Sequence, residues 1–323
     1  MDRAQVISSK IKNDLTLIEE TIVKTLVGGE KRLGETALAT LKAGGKRLRP
    51  ALLLIAGQVG SYDLEKLVPA AAAVELIHMA SLVHDDILDG AETRRGIPTV
   101  NSLWGDQIAV TTGDFLFAHA FVLLAKIGEP RVTDLACSAA LALSLGELHQ
   151  MQTAFKSDQS LNDYLSKIFN KTAILFSASC EIGALLSGAS VDEIRRLAEY
   201  GENLGMAFQI YDDILDIEGR TDELGKPIGI DLKDGTMTMP IIYALEETGG
   251  DTRLCSVIEN TAPSEREVDD AIQLILSTNA IERTKREARK YAQLAIDAVK
   301  HISSKEAQTD LTAIGKFVVA RYN

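Results

Sequence analysis

The chain has 323 residues, of which 46% are hydrophobic and 25% are charged, and only seven are proline. This composition predicts a globular protein with a large core and excludes an intrinsically disordered one. The formal net charge of −12, from 46 acidic and 34 basic residues, argues against a surface that binds nucleic acid.

The N-terminal segment is charged throughout and lacks the apolar stretch of a signal peptide. The longest apolar run, PAAAAVELIHMASLV, is interrupted by polar residues and falls short of a bilayer span. Three cysteines, Cys137, Cys180 and Cys255, have neither a paired nor a metal-binding spacing, which predicts reduced and buried thiols. We therefore expect a cytoplasmic protein without stable membrane insertion.

Apolar residues recur at helical spacing along almost the whole chain, and strand-like alternation is nearly absent. The basic stretch GGKRLRP, from Gly44, stands before a helix that Pro50 can open. A long apolar helix follows, which can begin at Pro69 and runs into HDDILDG. These spacings predict a chain of helices joined by short turns.

Further helix starts are indicated by the capping-box patterns SVDE at Ser190 and SERE at Ser264. The longest segment rich in glycine and proline begins at Gly219, and no low-complexity linker divides the chain. The sequence therefore predicts one all-α domain over residues 1–323.

The pentapeptide DDILD occurs twice, at Asp85–Asp89 and at Asp212–Asp216. On a helix its first and third carboxylates lie one turn apart, and without a cation they repel one another. A single copy is typical of a solvated acidic face, whereas two identical copies favour binding of Mg²⁺, with Mn²⁺ as a substitute. The predicted metal ligands are Asp85, Asp86, Asp89, Asp212, Asp213 and Asp216.

Basic residues that can hold an anionic ligand accompany the acidic motifs. Lys46, Arg47 and Arg49 precede a helix start, where side-chain charge and the helix amino terminus can meet a diphosphate. An ordinary surface turn is the alternative. Arg94 and Arg95 follow the first acidic motif, where simple charge balance is the alternative.

Two further lysines lie in the second half of the chain. Lys171 stands with Thr172 in a largely apolar helix, and snorkelling of its side chain is the alternative explanation. Lys226 belongs to the Gly/Pro-rich loop, which is either a lid over an anionic ligand or an ordinary mobile loop. No nucleophile stands beside a base, so the residues indicate ionisation assisted by metal ions.

The stretches GGKRLRP, HDDILDGAETRRG, KTAILF and FQIYDDILD occur in this order, and with them the chain resembles the trans-isoprenyl diphosphate synthases, or polyprenyl synthetases. The similarity runs from about Lys42 to Pro240. The resemblance implies an all-α helical bundle around a central cavity, usually a homodimer, with the two aspartate-rich helices facing each other. It also implies an Mg²⁺-dependent prenyltransferase that joins isopentenyl diphosphate to an allylic diphosphate primer, head to tail and in trans.

Residue by residue, the resemblance implies that both aspartate motifs hold Mg²⁺ on the allylic diphosphate. It assigns contacts with that diphosphate to Arg94, Lys171 and Lys226. It assigns isopentenyl diphosphate to Lys46, Arg49, His78 and Arg95. Oxygens of Thr172 and Gln209 match positions that face the developing allylic cation. The chain departs from many relatives at Thr236, where they carry a lysine.

The turn before the first motif bears on product length. Ala80 and Ser81 are small. In family members that carry bulky aromatic residues at these positions, the aromatic side chains resemble a floor that stops chain growth early. We therefore expect a product of about thirty to forty-five carbons, with the stop at Ile77 or at Phe117 and Phe121. The alternative is that the small residues only let two helices pack closely, and a product of about twenty carbons then remains open.

Two other classes of protein compete with this interpretation. A class I terpene cyclase shares the first motif, but its second metal motif mixes Asn, Ser or Thr with Glu. A non-catalytic subunit of a heteromeric synthase typically loses aspartates from the motifs, whereas this chain keeps all six.

Overall fold

The computed structural model describes residues 7–28, 30–219 and 228–320, and the structural statements below refer to them. Helices dominate this part of the chain. The only sheet within these ranges is a hairpin of β1 (Thr93–Arg94) and β2 (Ile97–Pro98), which pair antiparallel. The predicted all-α fold class is confirmed.

The helices follow one another with short connections. The first seven are α1 (Ser9–Val27), α2 (Lys31–Lys42), α3 (Leu48–Gly57), α4 (Leu64–Leu88), α5 (Val100–Trp104), α6 (Asp106–Ile127) and α7 (Pro130–Thr153). After them come α8 (Leu161–Ile168), a π-helical turn (Phe169–Ala173), α9 (Ile174–Leu186) and α10 (Val191–Glu218). The last are α11 (Ile230–Lys233), α12 (Met239–Thr248), α13 (Thr252–Glu259), α14 (Glu265–Leu276), α15 (Ala280–Ala298) and α16 (Lys305–Ala320).

The chain divides into two compact units, each assembled from separate stretches of sequence. Unit 1 consists of Met1–Ala140, Leu175–Gly201 and Ala298–Ile314. Unit 2 consists of Leu141–Ile174, Glu202–Asp297 and Gly315–Asn323. The first DDILD motif belongs to unit 1 and the second to unit 2. The prediction of one domain over residues 1–323 stays a prediction.

Helix α4 lies in the core of unit 1 and packs mainly against α6, with further contacts to α1 and α3. The stretch from Ala70 to Ile77 is buried at every position, which matches its unbroken run of apolar residues apart from one glutamate. Burying this helix on several sides holds its C-terminal turn, and with it the first aspartate motif, in a fixed place.

The prediction that this helix begins at Pro69 is wrong, because α4 begins at Leu64. The side chain of Asp63 caps the helix by accepting a hydrogen bond from the Glu65 backbone N–H at 3.0 Å. With the cap so early, Pro69 falls inside the helix, where its missing N–H leaves one backbone hydrogen bond unmade.

The two capping-box signals agree with the structure, whereas α3 begins at Leu48, two residues before the predicted start at Pro50. The side chains of Ser190 and Glu193 bond each other at 2.7 Å and each accepts a backbone N–H, as the capping pattern predicts. Ser264 and Glu267 form the same box at the start of α14. Both predicted helix starts are thereby confirmed.

The cysteines follow the sequence prediction in part. All three are free thiols and Cys180 is buried, but Cys255 is half-buried and Cys137 is exposed, so the predicted burial is wrong at these two. On α7 the neighbouring Ala136 and Ala139 are buried, and successive side chains on a helix point about 100° apart. Cys137 therefore lies off the buried face.

Two described helices, α4 and α6, are long and apolar enough to cross a membrane by length and composition. The apolar window of α4 is 72% buried inside the protein, as is typical of a core helix, and that of α6 is 33% buried. The absence of stable membrane insertion stays a prediction.

Gly113 on α6 lets that helix approach α4 closely beside the first aspartate motif. A Cβ atom at Gly113 would lie 2.1 Å from Nε2 of His84, whose ring nitrogen is 3.2 Å from the carbonyl oxygen of Val110. We expect Gly113→Ala to lower the free energy of unfolding by about 1 to 3 kcal/mol, because the half-buried His84 ring must move to relieve the clash. Thermal unfolding followed by circular dichroism measures this change.

The double variant His84→Ala with Gly113→Ala is the matched control. If the clash is the cause, removing the ring should restore most of the stability that Gly113→Ala loses, because the two effects are coupled. If Gly113→Ala costs the same unfolding free energy with His84 present as with His84→Ala, the clash is not the cause.

Candidate active site

The GGKRLRP loop of unit 1 connects α2 to α3 through two left-handed residues, Gly44 at φ 75° and Arg47 at φ 44°. The guanidinium of Arg95, at the tip of the β-hairpin, donates a hydrogen bond to the carbonyl oxygen of Gly44. A Cβ atom at Gly45 would lie 2.9 Å from Nη1 of Arg95 and 3.2 Å from Nη1 of Arg47. Two guanidinium groups thus lie against the loop backbone at Gly45.

His78 of α4 reports the electrostatic environment of this loop. Burial lowers the pKa of His78 well below its usual value, and the positive charges of four arginines lower it further. Those arginines are Arg49, Arg95, Arg94 and Arg47. The imidazole is therefore neutral and can hydrogen-bond a ligand, while the surrounding positive charges favour an anion.

Arg49 completes this basic cluster on the first turn of α3. Its guanidinium carbon lies 4.6 Å from the centre of the Phe176 ring, a distance typical of a cation–π contact. All four residues predicted for isopentenyl diphosphate, namely Lys46, Arg49, His78 and Arg95, belong to unit 1. Lys46 is half-buried and Arg95 is exposed.

The first aspartate motif forms the last turn of α4, and its three carboxylates have different environments. Asp86 is buried, and its Oδ1 accepts from Nε and Nη2 of Arg94, each at 2.7 Å. Asp85 is half-buried, and Asp89 is exposed at the C-cap of the helix. The two outer carboxylates are therefore the more accessible ones, while the middle one holds the hairpin through Arg94.

In the described residues, no group of three His, Cys, Asp or Glu side chains converges as a complete metal-binding set. Mg²⁺ needs no such set, because it takes one or two carboxylates and completes its shell with waters and substrate phosphates. Asp85 and Asp89 supply hard oxygen donors one helical turn apart, which fits a cation of this kind. The metal roles of all six aspartates stay predictions.

The second aspartate motif lies on α10 in unit 2, where two of its carboxylates are fully engaged. Asp213 is buried and accepts from the hydroxyl of Tyr164 at 2.6 Å and from Nε2 of Gln209 at 2.9 Å. Burial raises the pKa of Asp213 to about 6, against the opposing effect of these hydrogen bonds. Asp212 is half-buried beside it.

Asp216, the last residue of this motif, anchors the chain segment that contains α11. Its carboxylate oxygens accept the backbone N–H groups of Ile230 at 3.2 Å and Asp231 at 3.1 Å. Its carbonyl oxygen accepts the N–H of Gly229 at 2.8 Å. Thr236 lies in the same segment and donates its N–H to the carbonyl oxygen of Asp231 at 2.7 Å.

Lys171 and Thr172 lie on the π-helical turn between α8 and α9, a local widening that often occurs at functional sites. The hydroxyl of Thr172 donates to Oε1 of Gln209 at 2.7 Å. Because Nε2 of Gln209 is bonded to Asp213, the orientation of its amide group is fixed by both partners. Thr172, Gln209 and the second motif thus form one hydrogen-bonded network in unit 2.

Two residues of α7 that the sequence analysis missed engage the predicted diphosphate lysine. Nζ of Lys171 lies 2.6 Å from Oε2 of Glu147 and 2.9 Å from Oε1 of Gln150. The three-residue spacing of Glu147 and Gln150 puts them on one helix face, and that spacing was the signal available in the sequence. Lys226 lies outside the described residues.

A third residue not predicted from the sequence, Lys167, is buried one turn before Lys171. Its ammonium donates to the carbonyl oxygen of Met237 at 2.8 Å, and burial lowers its pKa. Lys167 and Asp216 therefore bond the two ends of the segment 229–237 to α8 and α10.

The described residues thus define an all-α protein with a basic cluster and an aspartate motif in unit 1, and a second aspartate motif in unit 2. The model of the family described as "Polyprenyl synthetase" matches residues 30–275. The chain belongs to this family, which confirms the resemblance seen in its motifs.

Relatives of known name cover nearly the whole chain. "Heptaprenyl diphosphate synthase component 2" of Geobacillus stearothermophilus is 39% identical over 97% of each chain. The crystal structure of a decaprenyl diphosphate synthase from Rhodobacter capsulatus superposes with a TM-score of 0.92, at 33% identity, and covers 97% of this chain and 98% of that one. A polyprenyl synthase from Caulobacter crescentus, in complex with calcium and isoprenyl diphosphate, has the same TM-score at 31% identity and covers 99% of each chain.

Proposed function

We propose that the chain is an Mg²⁺-dependent trans-prenyltransferase that condenses isopentenyl diphosphate with an allylic diphosphate. The proposed product is a polyprenyl diphosphate of about thirty to forty-five carbons. The observation that carries the proposal is the basic cluster around His78, because a second diphosphate site is what a condensing enzyme needs. The names of the heptaprenyl and decaprenyl relatives support a product longer than the usual primers.

The aspartate motifs and two basic residues have proposed roles in the departure of the diphosphate. Mg²⁺ bound at each aspartate motif, by Asp85 and Asp89 in unit 1 and by Asp212 in unit 2, would neutralise the charge that develops on a departing diphosphate. Calcium and an isoprenyl diphosphate in the Caulobacter crescentus complex support a combination of cation and diphosphate. Arg94 and Lys171 would each add positive charge to an allylic diphosphate, and Lys171 must first exchange its bonds with Glu147 and Gln150.

The C1–O bond of the allylic substrate then breaks, and oxygens of Thr172 and Gln209 stabilise the allylic cation. Lys46, Arg49, His78 and Arg95 hold isopentenyl diphosphate so that its double bond attacks C1 of this cation. The new C–C bond leaves a tertiary cation, which loses a proton to the released pyrophosphate and forms the new double bond.

A non-catalytic role is the second candidate, because the Geobacillus stearothermophilus relative is named a component. Pyrophosphate release by the purified chain distinguishes the candidates. We expect release with Mg²⁺ only when allylic and isopentenyl diphosphates are both present. Release from the allylic diphosphate alone, with a hydrocarbon product, would indicate a terpene cyclase, and no release under any condition would indicate a non-catalytic subunit.

Lys46→Ala is expected to raise the KM for isopentenyl diphosphate by about tenfold or more and to change the KM for the allylic substrate much less. The reason is that a charge contact of equal strength in the ground state and the transition state contributes to substrate binding and not to the rate of the bound complex. Steady-state kinetics with each substrate varied in turn measure both constants. Lys66→Ala, at an exposed ion pair of α4, is the control. A rise confined to the allylic KM would reverse the assignment of the two diphosphate sites.

A further inference from the structure

Arg47 adopts a backbone conformation that non-glycine residues rarely take, at φ 44° and ψ 34°. Its side chain is only 12% exposed and has three acceptors. Nη1 donates to Oε1 of Glu75 at 2.7 Å, Nη2 to the carbonyl oxygen of Leu41 at 3.0 Å, and Nε to Oε1 of Glu19 at 3.1 Å. The guanidinium is thus hydrogen-bonded to residues of three helices of unit 1, namely α1, α2 and α4.

Glu75 is the buried partner of this arginine. Its side chain is 3% exposed, in a part of α4 whose other residues are apolar. A buried carboxylate of this kind is stable only with a cation beside it, so each member of the pair requires the other.

The pair connects two parts of the proposed isopentenyl diphosphate site. Arg47 stands in the loop between Lys46 and Arg49, and Glu75 stands three residues before His78 on α4. Residues three apart on a helix share a face, so the ion pair ties the basic loop to the face of α4 that carries His78.

We propose that Arg47 and Glu75 are positioning residues, which act on isopentenyl diphosphate only through Lys46, Arg49 and His78. The inference rests on the proposed function, because that function places isopentenyl diphosphate at these three residues. Glu75 engages the Arg47 guanidinium, and the resulting bonds hold the left-handed turn that presents Lys46 and Arg49. The three bonds of the Arg47 guanidinium are therefore assigned to the fold of the loop and not to the substrate.

Electrostatic repulsion alone predicts the opposite effect of a change at Glu75. A carboxylate near a diphosphate site repels the ligand, so its neutralisation alone should tighten binding. A positioning role predicts weaker binding on the same change, because the loop loses its anchor and small displacements of binding groups are costly. The sign of the effect separates the two accounts.

The test is isothermal titration calorimetry, in which isopentenyl diphosphate is added to the full-length protein without the allylic substrate and its dissociation constant is measured. We expect Glu75→Gln and Arg47→Ala each to weaken binding by about tenfold. The double variant should bind no more weakly than Arg47→Ala alone, because both changes break the same connection. Arg195→Ala, in the exposed ion pair with Asp192, is the control and should bind normally.

Two measurements keep the result interpretable if Glu75→Gln unfolds. Circular dichroism establishes folding of each variant, and Glu75→Asp keeps the charge while it withdraws the carboxylate by one methylene. Weaker binding by a folded Glu75→Asp supports positioning. Tighter binding by Glu75→Gln, or additive losses in the double variant, would overturn the inference. If Lys46→Ala binds as tightly as the unchanged protein, the proposed site itself is wrong, which is a different outcome.

Discussion

Replacement of Asp85 by alanine is expected to lower the turnover rate by about 1,000-fold or more while the protein stays folded. Asp85 lies in the last turn of α4 and is half-buried, so its removal leaves no large void in the core. The loss follows because the carboxylate would hold the cation that neutralises the departing diphosphate. Asp212→Ala, in unit 2, should have an effect of similar size for the same reason.

Single-turnover kinetics with saturating substrates measure the chemical step, and thermal unfolding shows whether each variant is folded. The matched control is Asp134→Ala, which removes an exposed aspartate of unit 1 that lies outside both motifs. Its rate should be unchanged. Full turnover in an excess of chelator, or near-normal rates in both Asp85→Ala and Asp212→Ala, would contradict a role for metal ions in this reaction.

Ala80→Phe is expected to shorten the product, because Ala80 lies five residues before Asp85 on α4, deeper than the metal-binding turn. Ala80 is fully buried, and the half-buried Phe117 and Phe121 of α6 stack at 6.4 Å in the same unit. A phenyl ring at residue 80 would fill space that a growing prenyl chain needs. Mass spectrometry of the extracted products measures the change.

Stability separates this account from simple helix packing. If Ala80 only lets two helices pack closely, the larger side chain should cost about 1 to 3 kcal/mol of unfolding free energy and leave the product unchanged. If it borders a prenyl tunnel, the product should shorten with a smaller loss of stability. Ser81→Ala, which removes only a hydroxyl bonded to the His78 carbonyl oxygen at 2.9 Å, is the control. An unchanged product distribution from a folded Ala80→Phe enzyme would rule out a tunnel at this position.

The sequence predicted the helices well because their signals are local. Apolar spacing and the capping boxes at Ser190 and Ser264 act within a few residues, and the structure confirms both. The predicted start of α4 is wrong because Asp63, a residue type that is strongly preferred at the N-cap, caps the helix before Pro69. The widened turn at Lys171 has no comparable local signal, since its residues also suit an ordinary α-helix.

The candidate site was predictable in its residue types but not in its pairings. The two DDILD motifs gave the carboxylates, yet nothing local distinguishes Asp86, bonded to Arg94, from the more accessible Asp85. Asp213 accepts a hydrogen bond from Tyr164, which is 49 residues away in the sequence. Arg47 donates one to Glu75, which is 28 residues away. Such contacts arise only when the chain folds, because their partners are specified by packing and not by spacing along a helix.

The most direct measurement is the carbon number of the product that the purified chain makes alone from isopentenyl diphosphate and farnesyl diphosphate with Mg²⁺. Our account predicts a polyprenyl diphosphate of about thirty to forty-five carbons, formed only with the metal present. A product of about twenty carbons would contradict the proposed length but keep the reaction. No product longer than the primer, from a folded chain with both substrates and Mg²⁺, would contradict the proposal that this chain is itself the condensing enzyme.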